Sequence, residues 1–169
     1  MKKHTFVITI VAVFVIAFAS VFAAPVAAAG SDLTIVETAL AINADSGEFS
    51  TLIAAVVYTG LVPTLNGKGQ FTVFAPTDAA FAKLGLDAES IVTLPKKTVK
   101  NILLYHVARG ERLSDDVVSS SRIRMMNKQF TKVSLMDGNA YINDAMILAV
   151  DVPAKNGVIH VIDTVLMPK

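Results

Sequence analysis

Apolar residues change their spacing twice along this chain. Residues 5–22 form a continuous uncharged run rich in Val, Ile and Phe. Beyond it, up to about residue 106, apolar positions recur at helical spacing, and from Arg122 onward they alternate as strands do. Ser31 or Asp32 is expected to cap a first helix over residues 33–43, which Asp45-Ser46-Gly47 breaks. Phe49, Leu52, Ile53, Val56 and Val57 recur on one side of a second helix and predict its buried face. Gly60 ends that helix in a left-handed conformation, with Leu61 packing back. After the turn Asn66-Gly67-Lys68-Gly69, Phe71-Thr72-Val73-Phe74 reads as a short strand stopped by Ala75-Pro76. Thr77 caps a short helix over residues 78–84, Asp78 sits at that helix's positive end, and Gly85 closes it.

A helical turn is expected over residues 87–94. Pro95 then opens a helix whose inner stripe is Val99, Ile102, Leu103 and His106, with Lys96, Lys97 and Lys100 outside. Asp137-Gly138 between residues 131–136 and 139–142 is a hairpin signal. Residues 146–150 read as another strand, and Asn156-Gly157 as a turn before a last strand over 158–166. Helices dominate the first half and strands the second, which is an α+β pattern and not alternating βαβ.

The uncharged run follows Lys2, Lys3 and His4 and precedes the small residues Ala23-Ala24-Pro25-Val26-Ala27-Ala28-Ala29. That order is a secretory signal over residues 1–29, cleaved after Ala23 or Ala29. An uncleaved membrane anchor is the competing reading, since about 18 apolar residues can span a bilayer. Either way the folded part, residues 31–168, is placed outside the cytoplasm, secreted, extracellular or periplasmic, with no stable membrane span after cleavage. A basic leader without disulfides suits a prokaryote.

Composition narrows the function classes. Fifteen basic residues face 14 acidic ones, for a net charge of +1, and losing Lys2 and Lys3 makes the remainder slightly acidic. A strongly basic nucleic-acid binder is therefore excluded. Without Cys there is no disulfide framework, no thiolate metal cage and no Cys nucleophile. No Gly-x-Ser-x-Gly elbow occurs, and Asn66-Gly67-Lys68-Gly69 lacks the spacing of a phosphate loop.

Three blocks in register closely resemble a fasciclin domain of the beta-ig-h3/fasciclin type. The first runs Phe71-Thr72-Val73-Phe74-Ala75-Pro76-Thr77-Asp78-Ala79-Ala80-Phe81, the second is Tyr105-His106-Val107, and the third runs from Asn156-Gly157-Val158-Ile159-His160 to Pro168. The resemblance implies a wedge-like β-sandwich of about seven strands with several packed helices. It also implies a surface or extracellular protein that mediates adhesion or binds matrix, and it makes His106 a core tie. Two departures stand out. Residues 119–129 replace a short glycine-bearing link. Arg109-Gly110-Glu111 stands where an integrin-type Arg-Gly-Asp would carry Asp, so integrin binding is not implied.

Each candidate residue has a structural and a chemical reading. Thr77, Asp78, Tyr105, His106 and Asp163 are read as the structural motif. His106 is expected to hold backbone groups from inside, because a buried unpaired polar group costs roughly 1–3 kcal/mol. Asp163, in an apolar strand, is expected to accept backbone N–H groups or a hydroxyl. His160 is expected on the wetter face of its strand. Two His on separate elements fall short of a zinc set. Asp115 and Asp116 read as first-turn helix acids, Lys96, Lys97 and Lys100 as a solvated face, and Met125-Met126 as core. Arg122, Arg124, Lys128, Asn143 and Asp144 are the candidate interaction surface. The expectation is a non-enzymatic module without cofactor that binds a cell-surface or matrix protein or a polysaccharide. The alternative is a small-ligand carrier or hydrolase with an unrecognised pocket.

Overall fold

The computed structural model describes residues 32–169, so the leader expected over residues 1–29 lies outside the described residues. The first helix starts two residues later than the sequence pattern suggested, because Thr34 is the better cap. α1 spans Ile35–Ser46, and across its first turn the Thr34 hydroxyl accepts the Glu37 N–H while the Glu37 carboxylate accepts the Thr34 N–H. α2 spans Ser50–Thr59, and α3, opened by Pro63, spans Val62–Leu65. Gly60 takes the left-handed φ of 70° that ends α2, and Leu61 is buried behind it. The α2 stripe is narrower than its spacing predicts. Phe49, Leu52 and Val56 are buried, whereas Val57, on the outer edge, is 63% exposed.

β1 (Phe71–Pro76) runs straight into Thr77, which caps α4 (Asp78–Ala82) by accepting the Ala80 N–H at 3.2 Å. A single 3-10 turn, Ile91–Thr93, precedes α5 (Lys96–Tyr105). β2 (Val107–Arg109) and α6 (Ser114–Ser119) follow. The rest is sheet: β3 (Arg122–Arg124), β4 (Phe130–Met136), β5 (Asn139–Ile142), β6 (Ala145–Ala154) and β7 (Gly157–Ile162). β7 stops at Ile162, short of the expected residue 166. Val165 and Leu166 are buried in the tail beyond it.

The strands form one mixed sheet in the order β2-β1-β7-β6-β5-β4-β3, with β1 and β7 parallel and the other pairs antiparallel. The sheet rolls until its two ends meet. Ala108 bridges Met125, and the Met126 N–H donates to Val107 O at 2.7 Å. The expected sandwich is thus one nearly closed wedge-shaped sheet, with helices packed on the outside of β1 and β7.

Two cores follow from that geometry. β1 is buried at every position because it is covered on both faces. Phe71, Val73 and Ala75 point at the helices, where they meet Ile35, Phe49, Leu52 and Leu103. Phe74, between them, points into the rolled sheet with Ile123, Ile142 and Ile162. The same alternation governs β7, with Ile159 under the helices and Ile162 inside the sheet.

The β6–β7 turn is Lys155-Asn156, one residue earlier than expected, and Gly157 is already in register with Ala154 and Phe71. The reason is a close approach. Gly157 has φ 149°, and a Cβ there would lie 1.8 Å from Phe71 O. Asn156 then holds two helices to the sheet, accepting the Ile35 N–H at 2.9 Å and donating to Leu65 O.

Candidate functional site

The polar residues singled out by sequence separate into an inner set and an outer set. His106, 2% exposed, ends α5. Its Nδ1 lies 2.8 Å from Ile102 O, and its Nε2 accepts the Leu166 N–H at 2.9 Å. Accepting at Nε2 requires the proton on Nδ1, so the ring is neutral and both nitrogens are occupied. Burial is the dominant influence and pushes its pKa down to about 4, against the smaller opposing effect of the Ile102 carbonyl.

Tyr105, next to it, donates its hydroxyl to Phe130 O at 3.1 Å and accepts from Asn143 Nδ2 at 3.1 Å. Asn143 also accepts the Lys132 N–H at 2.8 Å and adopts a left-handed φ of 53°. Its amide is therefore consumed at the β5–β6 turn, and it departs from the surface role expected of it. Asp144, its neighbour, is exposed.

Asp78 acts on a different helix from the one it begins. Its Oδ1 accepts the Thr51 N–H at 2.8 Å and its Oδ2 the Ser50 N–H at 3.1 Å. α2 has no side-chain cap of its own, and the carboxylate of α4 supplies it. Asp151 does the same for α6, accepting the Ser114 N–H at 2.7 Å and the Ser114 hydroxyl. Irregular register in β6 and a φ of 57° aim it there, a role with no local sequence signal.

Asp163 follows β7 and is half-buried rather than inward. Oδ1 accepts the Met146 N–H at 2.8 Å and the Thr164 hydroxyl at 2.9 Å, while Lys83 Nζ lies 3.2 Å from Oδ2. Burial opposes ionisation, but the hydrogen bonds from Met146, Thr164 and Lys83 outweigh it and hold the carboxyl below its ordinary value.

His160 overturns its expectation. It is 0% exposed, because β7 lies between β1 and β6 with both faces covered. Its ring stacks on Phe74 with centroids 5.4 Å apart. Nδ1 accepts the Asp151 N–H at 3.3 Å, so Nε2 carries the proton and donates to Arg112 O at 2.9 Å. Burial lowers its pKa, opposed by the Arg112 carbonyl and the Asp151 charge. Among the described residues two imidazoles are therefore interior, and each has both nitrogens engaged.

The outer set gathers on the hairpin β3–β4. Arg122 pairs with Lys132 and Arg124 with Phe130, so these four side chains share one face, while Ile123 and Thr131 are buried on the other. Phe130 is 54% exposed, and the Arg122 guanidinium lies 5.5 Å from its ring centroid. Lys128, in the turn, is exposed, and Met125 beside it is buried. Residues 119–129 thus contribute Arg122 and Arg124 to this face, and β4 contributes Phe130 and Lys132.

Apolar clefts lie elsewhere. One of about 220 Å³ runs between α1, α2 and α3, lined by Ile35, Val36, Leu52, Val56 and Leu65. That is below the roughly 300–1,000 Å³ of a drug-sized pocket, and the imidazole of His106 in its lining already has both nitrogens engaged. Among the described residues no cluster of His, Asp and Glu is arranged to hold a metal ion. No helix among them is long and apolar enough to cross a membrane.

The fasciclin domain family matches residues 47–168. Protein sll1483 of Synechocystis is 41% identical over 144 residues, covering 84% of this chain and 77% of that protein. The cell surface glycolipoprotein MPB83 of Mycobacterium bovis is 36% identical over 108 residues, covering 64% of this chain and 48% of its own length. The solved FAS1 domain pair of the insect cell adhesion molecule fasciclin I superposes with a TM-score of 0.65 at 21% identity, over 82% of this chain and 52% of that one.

Proposed function

The chain belongs to the fasciclin domain family, and on that premise we propose that it is an exported, non-enzymatic adhesion module that binds a component of the cell envelope or matrix. The single observation that carries this reading is the division of its polar residues. The titratable groups of the interior are occupied by backbone partners, whereas the outward face of β3–β4 presents Arg122, Arg124, Phe130 and Lys132 to solvent. Aromatic and Arg side chains are the residue types that dominate recognition surfaces. Thr77, Asp78, Tyr105, His106 and Asp163 serve as internal ties, and the leader over residues 1–29 directs export of a domain over 31–168. The surface location named for the mycobacterial relative agrees with that placement.

The reading is tested by adherence of the full chain to envelopes of the cells that produce it. The double variant Arg122→Ser, Phe130→Ser is expected to lose most adherence without a change in unfolding midpoint. Undiminished adherence of that variant contradicts the proposal.

A further inference from the structure

Beside the outward face, and sharing Arg124 with it, four cations converge from two strands, a link and a turn. Arg109, Arg112, Arg124 and Lys128, with Met125 and Met126, line a cleft of about 380 Å³. Arg109 ends β2, Arg112 lies in the link to α6, Arg124 ends β3, and Lys128 sits in the β3–β4 turn. The Ala108–Met125 bridge holds the turn against β2. Among the described residues, none of these cations lies within 4.0 Å of a carboxylate oxygen. Like charges gathered without an ion-pair partner repel each other, and an anion seated between them relieves that repulsion.

The cleft is built from inside. The Arg112 N–H donates to Thr72 Oγ1 at 2.9 Å, and Arg112 O accepts from His160 Nε2 at 2.9 Å. Thr72 and His160 are both fully buried. A second buried imidazole, whose other nitrogen holds the Asp151 N–H, thus also fixes the backbone of one arginine. The Nε of that arginine is buried and has no hydrogen-bond partner, a donor expensive to leave unpaired. Lys128 takes a left-handed φ of 73°, where glycine would be relaxed. The chain keeps a cation at that position instead.

We propose that this cleft binds an acidic sugar unit of an anionic polysaccharide. Guanidinium groups take the planar carboxylate of a uronate or the oxygens of a sulfate ester through paired N–H bonds. The thioethers of Met125 and Met126 offer the sugar ring an adaptable apolar wall. Arg124 is the register partner of the exposed Phe130, so a glycan leaving the cleft passes onto an aromatic platform.

This inference rests on the adhesion reading and names the chemistry of its partner. Its failure is separable, because envelope adherence is measured independently of the experiment that follows. The full chain is titrated calorimetrically with polygalacturonate, dextran sulfate, neutral dextran and single-stranded DNA. Saturable binding of polygalacturonate, dextran sulfate or both is expected, and which of them binds identifies the acidic group. Arg112→Gln and Lys128→Gly are each expected to weaken that binding at least tenfold. Lys128→Gly also relaxes its backbone, so its unfolding midpoint should stay level or rise. The control Lys96→Gln, Lys97→Gln, Lys100→Gln removes an exposed cluster elsewhere and should leave affinity unchanged. Four results would overturn the proposal: no saturable binding of either acidic polymer, equal binding of dextran or DNA, full affinity in both cleft variants, or an equal loss in the control.

Discussion

The Leu166 backbone N–H donates to the buried ring of His106 at 2.9 Å, across 60 residues of sequence. The other ring nitrogen holds Ile102 O at 2.8 Å. One imidazole thereby joins the end of α5 to the buried C-terminal tail beyond β7. Replacing His106 by Ala leaves a donor and an acceptor unpaired in a fully packed setting and opens a cavity. A loss of about 3 kcal/mol is expected. Urea unfolding of wild type and variant measures it, and a shift below about 1 kcal/mol would be too small for two orphaned buried groups.

Acid should destabilise the domain in a defined window. His106 titrates at about 4 when folded, against 6.5 for an ordinary histidine. Between those values the unfolded chain binds more protons, so falling pH favours unfolding. Stability is complete above pH 6.5 and declines towards pH 4, by about 3 kcal/mol from His106 alone. The lowered pKa of His160 acts in the same direction. Asp163 adds its own loss only below its ordinary 3.8. Urea midpoints across pH 4 to 8 check this; a flat profile, or one unaltered by His106→Ala, would refute it.

Asp78→Ala removes the cap of α2 from outside that helix. Two N-terminal N–H groups of α2 lose their acceptor, and a cap of this kind contributes about 1–2 kcal/mol. Amide exchange at Ser50 and Thr51 should accelerate more than at the start of α4, where Thr77 still caps. Faster exchange confined to α4 would show that Asp78 serves its own helix.

Gly157→Ala should be among the most damaging single changes. The added carbon meets Phe71 O at 1.8 Å, and φ 149° is strained for any L side chain. A loss of more than about 4 kcal/mol is expected. Gly47→Ala, at φ 74° with open space around it, should cost only about 1 kcal/mol. Similar losses at the two sites would mean that β1 and β7 can separate freely there.

What the sequence revealed follows from how local each signal is. The α5 stripe, the Thr77 cap, the Asp137-Gly138 hairpin and the Gly60 stop are short-range patterns, and the structure reproduces them. The first cap was misplaced by a few residues because three hydroxyl or acidic residues lie close together before α1. His160 was misread for a different reason. Alternation along β7 shows two faces but not that both are covered, which depends on β1 and β6 pairing on either side of it. Asp78 and Asp151 cap helices 27 and 37 residues away, a relationship with no spacing rule. The basic cleft likewise joins residues 109, 112, 124 and 128 only when the ends of the sheet meet.

The central claim is that interior ties determine folding while recognition belongs to the exterior. The most direct measurement sets envelope adherence against unfolding midpoint for two kinds of variant of the full chain. His106→Ala should lower the midpoint strongly yet adhere normally at a temperature where it is still folded. Arg122→Ser with Phe130→Ser should keep the midpoint and lose adherence. Normal adherence by the exterior variant, or lost adherence by folded His106→Ala, would contradict the account.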